Sequence, residues 1–359
     1  MKNNKKDILK EKNNPDYLVP ALPEASNEIN NYSLISQGNI VNTLNNFTHK
    51  NIVATPNGKK EIINGSLKVI FDNNINKLDV ISRQFLLTIN VFIKKLNITQ
   101  NDFAIPLSAY MEYRELKDKK ETIKTIKKIS DILLGIRITG KEKYSQNGEE
   151  LGFINRRIFY KCEAHNDLIL IGIEPDCFKI FTNSPFLGYY NNKILKPNYL
   201  NVRTNPHTFN LYSKIQQLKS ISTGKDKQHE DIIGVETLIK VTELPPAELI
   251  KAQRGSLKHK IIEPFIRDML KLEDMGILKF EFCKSKGKRL TDEEIEAVEN
   301  DHNTFINSLV KITWLEYPDT QKIIETKERN KKKIAKRARK KNKLNAEKTP
   351  KKEAKWKIY

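Results

Sequence analysis

The amino-acid sequence predicts an α+β protein in which a set of helices followed by an antiparallel β-hairpin occurs twice along the chain. Two patterns predict this arrangement. Apolar residues recur every three or four positions in several stretches, which is the spacing of one helix face. Shorter β-prone segments separated by turn residues follow each set of helical stretches, which is typical of hairpins. A third observation, the polar and highly charged ends of the chain, predicts disordered termini.

The first set of helical stretches lies between residues 78 and 135. In LDVISRQFLLTINVFIKKL, the apolar positions of one predicted face are Ile81, Phe85, Ile89, Phe92 and Leu96. A short apolar piece, Phe103–Leu107, leads into a short helix that ends near Leu116. The inward residues of the next helix are Ile123, Ile126, Ile129 or Ser130, and Leu133. The pattern therefore predicts one long helix and then a pair of helices joined by a charged turn.

Three β-like segments follow these helices, at Ile136–Thr139, Phe153–Tyr160 and Leu168–Ile173. The last two are expected to pair across the turn Ala164–Asp167. Three helices followed by a hairpin is the order of a winged helix. In that fold the third helix can enter the major groove of DNA while the hairpin lies along the phosphate backbone.

The same order of helices is predicted again in the second half of the chain. A helix opens after Asn205-Pro206, and Gly234–Val241 can form a second one. The inward residues of the first of these are Phe209, Leu211, Ile215 and Leu218. A longer helix starts at Ser256, with Leu257, Ile261, Phe265, Met269 and Leu272 on its inward face. Pro264 lies inside it and is expected to remove a hydrogen bond and bend the axis.

A second hairpin is predicted after this long helix. Its strands are Ile277–Cys283 and Phe305–Leu315, and a basic turn, Lys284–Lys288, follows the first of them. Thr291–Glu294 has the form of a capping box, which predicts a short acidic helix between the two strands. This hairpin is therefore expected to carry an insertion.

The elements divide the chain of 359 residues into four predicted parts. Residues 1–64 form an Asn-rich flexible leader, residues 65–200 a first winged-helix domain, residues 201–326 a second winged-helix domain, and residues 327–359 a basic disordered tail. The formal net charge is +20, and the last 33 residues hold 16 Lys and Arg against 3 Glu, which is +13 for the tail and +7 for the rest. Such a tail can bind nucleic acid non-specifically by releasing counterions, or it can be only a solvated, solubilising segment.

No pattern in the sequence is typical of an enzyme, a cofactor site or a metal site. The four Gly-Lys pairs are followed by Lys60, Glu142, Asp226 and Arg289, so a P-loop, which needs Ser or Thr there, is absent. The six histidines are isolated, which excludes the paired-histidine metal site of strand-nicking initiators. We therefore expect no catalytic residue, no cofactor and no metal ion.

The sequence also predicts the compartment. The three cysteines, Cys162, Cys177 and Cys283, are far apart and are expected to be reduced thiols. No stretch has the ~20 consecutive apolar residues that a membrane span needs. The basic start of the chain leads into no apolar segment, so the pattern of a secretory signal is missing. We expect a cytoplasmic protein without membrane contacts.

Basic side chains on the polar faces of the two predicted recognition helices are the candidate DNA-binding residues. On the first helix these are Lys120, Lys124, Lys127 and Lys128, which should meet phosphates. On the second they are Arg254, Ser256, Lys258, His259 and Lys260, at the helix start that usually reaches base edges. Arg254 can read guanine through O6 and N7. The alternative is that both sets are solvated faces of a lysine-rich protein.

Basic residues are also predicted at the hairpins. Lys284, Lys286, Lys288 and Arg289 fit the tip of the second hairpin, where they would grip the DNA backbone. Arg156 and Arg157 either do the same in the first hairpin or face solvent at a sheet edge.

Residues 256–288, SLKHKIIEPFIRDMLKLEDMGILKFEFCKSKGK, resemble the second winged helix of iteron-binding, theta-type plasmid replication initiator proteins. That family has a basic helix with a Leu/Ile-Glu-Pro element, which Ile262-Glu263-Pro264 matches, followed by an acidic turn, a strand and a Lys/Gly-rich hairpin. The stretch from Leu78 through Ile136 resembles the family's first domain in its long opening helix and in the short strand before paired helices. The likeness covers about two thirds of the chain; the leader, the acidic insertion Thr291–His302 and the basic tail depart from it.

The resemblance implies a sequence-specific double-stranded DNA-binding protein. Such a protein binds direct repeats at a plasmid-type replication origin, promotes opening of adjacent AT-rich DNA, and recruits the host initiator and the replicative helicase. Family members also repress their own promoter as homodimers. Two alternatives stay open: a winged-helix transcriptional regulator that binds a repeat without opening DNA, and an RNA-binding or nucleoid protein in which the tail dominates and specificity is low.

Overall fold

A computed structural model describes residues 28–29, 31–36, 44, 53–54, 60–64, 67–71, 78–141, 153–183, 187–222 and 231–318. Within these ranges the fold mixes helices and sheets, which confirms the predicted α+β class. The basic tail and much of the leader lie outside these ranges, so their predicted disorder stays a prediction. None of the helices in these ranges is long and apolar enough to cross a membrane.

The helices of the described part are α1 (Val80–Lys95), α2 (Leu107–Tyr113), α3 (Lys119–Leu133), α4 (Pro175–Asn183), α5 (Asn192–Leu195), α6 (Thr208–Ser222), α7 (Val235–Ile239), α8 (Ala247–Ala252), α9 (Glu263–Asp274), α10 (Asp292–Asn300) and α11 (His302–Asn307). The strands are β1 (Glu28–Ile29), β2 (Tyr32–Ser36), β3 (Val53–Ala54), β4 (Lys60–Asn64), β5 (Leu67–Phe71), β6 (Asp102–Pro106), β7 (Ile136–Lys141), β8 (Phe153–Arg157), β9 (Phe159–His165), β10 (Leu168–Ile173), β11 (Leu187–Asn191), β12 (Ile232–Gly234), β13 (Leu278–Cys283) and β14 (Leu309–Trp314). A π-helical turn, Lys258–Ile262, runs directly into α9, and a 3₁₀ turn, Ser285–Gly287, follows β13.

Two sheets in different halves of the chain have the same strand order. In the first half the order is β6-β10-β9, and in the second half it is β12-β14-β13. In both sheets, the strand that comes last in the chain lies in the centre. Strand β10 pairs antiparallel with β6 and β9, and β14 pairs antiparallel with β12 and β13. The remaining sheets of the described part have the orders β3-β4-β5-β7-β8 and β1-β2-β11. In each half of the chain, helices come after the first strand of the three-stranded sheet and before the other two, which form a hairpin. The order of a helix followed by a hairpin therefore occurs twice.

Helix α1 is buried on nearly all sides, although its sequence shows one apolar face. Asp79 begins the helix by accepting a hydrogen bond from the Ser82 backbone N–H at 2.7 Å. Four predicted inward residues are buried: Phe85, Ile89, Phe92 and Leu96. Ile81, also predicted inward, is 41% exposed. The polar side is covered because β2, α3, α4 and α5 all pack on this helix, and Gln84 donates to the Ile194 carbonyl at 2.7 Å.

Part of the predicted flexible leader is an ordered strand. Strand β2 pairs with β11 in the register Tyr32↔Asn191 to Ser36↔Leu187. Tyr32 and Ile35 are fully buried. For this segment, the prediction that residues 1–64 form a flexible leader is therefore wrong. The short strand has no periodicity long enough to be recognised, and its pairing partner lies far away in the sequence.

The first hairpin differs from its prediction. Residues 153–160 were expected to form one strand, but the chain bends at Ile158, which is buried and donates to the Ile136 carbonyl. Strand β8 stays with β7 in the five-stranded sheet, while β9 pairs with β10. The hairpin is therefore β9–β10, and its turn contains Asn166 and Asp167, both with positive φ. Asn and Asp tolerate this conformation better than other non-glycine residues.

Pro264 sits at the junction between the π-helical turn and α9. The backbone N–H of Glu263 bonds to the Lys258 carbonyl, the long spacing of a π turn. Pro264 then occupies the first turn of α9, where the N–H that proline lacks would make no hydrogen bond within that helix. The helix accommodates the proline by this change of spacing, which the sequence pattern does not specify.

The insertion in the second hairpin contains two helices. Thr291 and Glu294 form the predicted capping box that begins α10. The returning strand was expected to start at Phe305, but residues 302–307 form α11 and β14 begins at Leu309. Asp301 caps α11 by accepting from the Thr304 backbone N–H at 2.7 Å, and the fully buried Phe305 anchors it. The cap at Asp301 and the burial of Phe305 thus stabilise a helix at residues 302–307, where the sequence pattern predicted a strand.

One buried core cluster extends through both halves of the chain. Next to this cluster, the buried Arg83 of α1 donates to Asn210 Oδ1 of α6 at 2.5 Å and lies over the Phe209 ring. Burial lowers the pKa of Arg83 to about 10, so the guanidinium is still protonated at neutral pH. The predicted division into domains stays a prediction, and α1 and α6 are in direct contact.

The start of α6 is capped by a residue from another helix. The sequence pattern assigns the cap to Asn205, but the helix begins at Thr208, whose backbone N–H donates to Asp268 Oδ1 at 3.0 Å. The Thr208 hydroxyl donates to the same oxygen at 2.6 Å, and the His207 N–H does so at 3.3 Å. Asp268 is fully buried, and burial raises the pKa of its carboxyl group. The carboxyl thus links α9 to α6.

Replacement of Asp268 by alanine is expected to lower the free energy of unfolding by ~1–3 kcal/mol, because the donors at the start of α6 lose their buried acceptor. Asp268→Asn keeps one oxygen acceptor and should cost less. A raised folded pKa favours the protonated carboxyl, so its contribution to stability falls as pH rises through that pKa. Urea unfolding at several pH values should show this loss in the unmodified protein and not in Asp268→Asn. Equal stability of the alanine and asparagine variants would contradict the capping role.

Candidate nucleic-acid interface

Helix α3 carries a cluster of exposed lysines that we term the first basic surface: Lys120, Lys124, Lys127 and Lys128. Asp118 caps the helix by accepting from the Glu121 N–H at 2.9 Å. The residues buried by the core are Thr122, Ile126, Ile129, Ser130 and Leu133. Ile123, which was predicted to point inward, is 37% exposed. The helical spacing thus brings the four predicted lysines together on the side of the helix away from the core.

Nearby carboxylates engage only part of this helix. Lys124 Nζ lies 3.6 Å from Glu121 Oε2, an exposed pair that contributes little. Lys119, which was not among the candidates, lies 2.5 Å from Asp167 in the turn of the β9–β10 hairpin. The tip of the first hairpin therefore contacts the start of α3 and contributes a negative charge. Lys119 could have been added to the candidate DNA-binding residues from the sequence, because it directly follows the helix cap Asp118.

Arg156 and Arg157 lie in β8, which is an edge strand of the five-stranded sheet rather than part of the β9–β10 hairpin. Both are exposed, as the alternative of a sheet edge predicted. Arg156 bonds to Glu174 at 2.8 Å and also to Asp176. These two carboxylates raise the pKa of the arginine and compete with phosphates for it. The placement of both arginines in the first hairpin is wrong, and their role toward DNA stays a prediction.

The residues before and within the π-helical turn form the second basic surface: Arg254, Ser256, Lys258, His259 and Lys260. Arg254 has φ +54°, and its N–H closes the end of α8 on the Lys251 carbonyl, so its side chain projects from a sharp turn. Arg254, Ser256, His259 and Lys260 are exposed, while Ile261 and Ile262 are buried. The structure therefore confirms the predicted inward position of Ile261 and adds Ile262, which was not among the predicted inward residues. Arg267, exposed on α9, extends the polar side and was not among the candidates.

Two members of the second basic surface have local polar partners. His259 Nδ1 lies 2.9 Å from Glu263 Oε2, one helical turn away. Lys258 Nζ donates to Asn300 Oδ1 of α10 at 2.6 Å. Arg254 and Lys260 make no ion pair with the residues that the structure describes, and they are the cations here most accessible to a phosphate or a base edge.

The basic turn after β13 contains Lys284, Lys286, Lys288 and Arg289. The Lys284 N–H donates to the Lys288 carbonyl at 2.8 Å. The backbones of Cys283 and Arg289 form an isolated antiparallel β-bridge, so the turn closes tightly around the 3₁₀ segment. Lys288 and Arg289 are exposed. Lys284 Nζ instead lies 2.6 Å from Glu294 Oε1 of α10. The side chain of Lys286 lies outside the described part of the structure; of the other three cations, Lys288 and Arg289 are exposed without an ion pair to the described residues, and Lys284 is exposed but paired.

Metal-binding groups and reactive thiols were sought among the described residues. In the described ranges, no group of three or more His, Cys, Asp or Glu residues is placed to hold a metal ion. Cys162, Cys177 and Cys283 are all buried, and they form no disulfide among the residues that the structure describes. Burial raises the pKa of the thiols of Cys162 and Cys177 to about 12, so both stay protonated and unreactive at neutral pH.

No protein-family model matches the sequence, and no curated protein matches it. Two crystal structures of domains 2 and 3 of RctB are similar to the chain. One, of selenomethionine derivatives of these domains, matches 77% of this chain and 98% of its own at 12% identity and a TM-score of 0.45. The other matches 73% of this chain and 90% of its own at 14% identity and a TM-score of 0.36.

Proposed function

We propose that the protein binds duplex DNA through two winged-helix units and initiates replication at an origin with repeated sites. The observation that carries this proposal is the repeated arrangement: the strand orders β6-β10-β9 and β12-β14-β13 are equivalent, and in each half a helix with exposed basic residues lies next to the hairpin. In a winged helix, that helix occupies the major groove and the hairpin contacts the adjacent backbone.

The two basic surfaces support different parts of DNA recognition. The lysines of the first basic surface are compact point charges, which suit phosphates and carry little base specificity. The second basic surface adds Arg254, whose guanidinium fork matches guanine O6 and N7, at the start of the helix. Lys288 and Arg289 of the basic turn would hold the backbone beside it. Binding energy would come from phosphates and specificity from the second surface.

Replication initiation, rather than transcriptional regulation, is supported by the resemblance of Ser256–Lys288 to the plasmid initiators. Ile262-Glu263-Pro264, the element on which it depends, lies where the π-helical turn meets α9, at the start of the proposed second recognition helix. The associated proposals are binding to origin direct repeats, opening of adjacent AT-rich DNA, contacts with the host initiator and helicase, a homodimeric repressor form, and a cytoplasmic location without enzymatic activity.

Footprinting of the full chain on its own neighbouring DNA, at ~0.15 M salt to suppress non-specific contacts, tests this function. We expect protection of evenly spaced direct repeats beside an AT-rich stretch. Protection of a single inverted repeat at a promoter would identify a transcriptional regulator instead. Uniform weak protection, together with loss of binding when residues 327–359 are removed, would show that the tail dominates and would contradict the winged-helix interface.

A further inference from the structure

The insertion between β13 and β14 places an acidic helix against the second basic surface. Helix α10 contains five acidic residues and no Lys or Arg: Asp292, Glu293, Glu294, Glu296 and Glu299 are its charged side chains. It packs on the π-helical turn, and α11 packs on the same turn and on α7. Val298 of α10 is buried, so the helix is fixed on the domain rather than suspended in solvent.

Two contacts tie this helix to lysines that are candidates for DNA. Lys284 Nζ of the basic turn lies 2.6 Å from Glu294 Oε1, and Lys258 Nζ of the second basic surface donates to Asn300 Oδ1 at 2.6 Å. The hydrogen bond from Lys284 also lowers the pKa of Glu294, which keeps this carboxylate ionised. Both lysine ammonium groups thus already have an oxygen partner at the distance at which a phosphate oxygen would bind.

We propose that α10 acts as an intramolecular competitor of DNA, in which Glu294 and Asn300 occupy Lys284 and Lys258 in place of phosphate oxygens and so weaken binding to non-target duplex. The inference rests on the proposed DNA-binding function of the second half. A phosphate must displace both partners before these lysines contribute. On the target site, base contacts by the second basic surface offset the free-energy cost of breaking these two contacts. On a random sequence only phosphate contacts form, so this cost lowers the affinity without compensation.

The test uses the full chain with Glu294→Gln and Asn300→Ala combined. Gln at this position preserves the capping box, because its side-chain oxygen still accepts from the Thr291 N–H. We expect the affinity for a random-sequence duplex, measured by fluorescence anisotropy at low salt, to rise ~3- to 10-fold. The magnitude of the slope of log K against log salt should rise by about 1–2, since each released lysine adds ~0.9.

Glu293→Gln is the matched control, because it removes the same charge from the neighbouring position. Glu293 is exposed and makes no ion pair with the described residues. It should leave affinity and slope nearly unchanged. An equal rise in Glu293→Gln would show a general effect of acidic charge and would overturn the inference, as would persistence of the gain after Lys284→Ala and Lys258→Ala. Equal binding by the unmodified protein and the double variant contradicts only this inference. Absence of duplex binding by both contradicts the proposed function itself.

Discussion

Replacement of all four lysines of the first basic surface by alanine is expected to lower the affinity for duplex DNA about 1000-fold at ~0.15 M salt. The side chains of Lys120, Lys124, Lys127 and Lys128 are exposed on one side of α3, so each can neutralise one phosphate. Each such contact contributes ~0.9 to the slope of log K against log salt, and the slope should therefore fall by about 3–4. The measurement is a salt titration of duplex binding by fluorescence anisotropy.

A matched pair of double variants separates this surface from general charge loss. Lys127→Ala with Lys128→Ala removes two lysines of the surface that make no ion pair with the described residues, whereas Lys179→Ala with Lys240→Ala removes two exposed lysines that already pair with carboxylates. Three of these four lysines lie in helices and Lys240 directly follows α7, so alanine is well tolerated at all four positions. Only the first pair should flatten the salt dependence. If the quadruple variant keeps the slope of the unmodified protein, the first basic surface does not meet DNA.

Replacement of Phe265 by alanine is expected to lower the free energy of unfolding by ~3–5 kcal/mol. Phe265 is fully buried in α9, and its ring packs edge-on against that of Phe305 with centroids 5.3 Å apart. Because Phe305 anchors α11, the cavity left by the smaller side chain would loosen both the proposed second recognition helix and the insertion that packs on it. Urea unfolding monitored by circular dichroism gives the difference in unfolding free energy.

Leu270→Ala, in the same helix, is the control for this variant. Leu270 is 47% exposed, so its truncation removes little buried surface and should change stability by less than ~1 kcal/mol. The helix propensities of Leu and Ala are close, so any large difference between the variants comes from packing. Similar losses for Phe265→Ala and Leu270→Ala would contradict the placement of Phe265 at the centre of this core.

Local sequence patterns predicted the long helices and their lysine faces correctly. The four lysines of α3 could be placed on the side away from the core because the helical period fixes which residues share a face. Helix α10 could be predicted from Thr291 and Glu294, because a capping box is formed entirely by residues within one turn. The inward positions of Ile261, Phe265, Met269 and Leu272 were likewise predicted correctly.

The exact limits of the apolar faces depended on the neighbours of each helix. Ile81 and Ile123 fit the helical period but are exposed, because each lies at the edge of a face that the surrounding elements do not cover. Conversely, the polar side of α1 is buried because four other elements pack on it. The helical period predicts the direction of the apolar face, whereas the packing of neighbouring elements determines how much of the helix surface is buried.

Local sequence patterns were enough to predict the α+β class, the main helices, the caps made by neighbouring residues and the positions of the basic faces. The pairing of β2 with β11, the capping of α6 by Asp268 of α9, and the ion pair between Glu294 and Lys284 became visible only in the folded chain. The difference comes from the range of the interactions. Helical period and capping act within a few residues, whereas strand pairing, caps supplied by another helix and ion pairs between elements depend on which distant segments the folded core brings together.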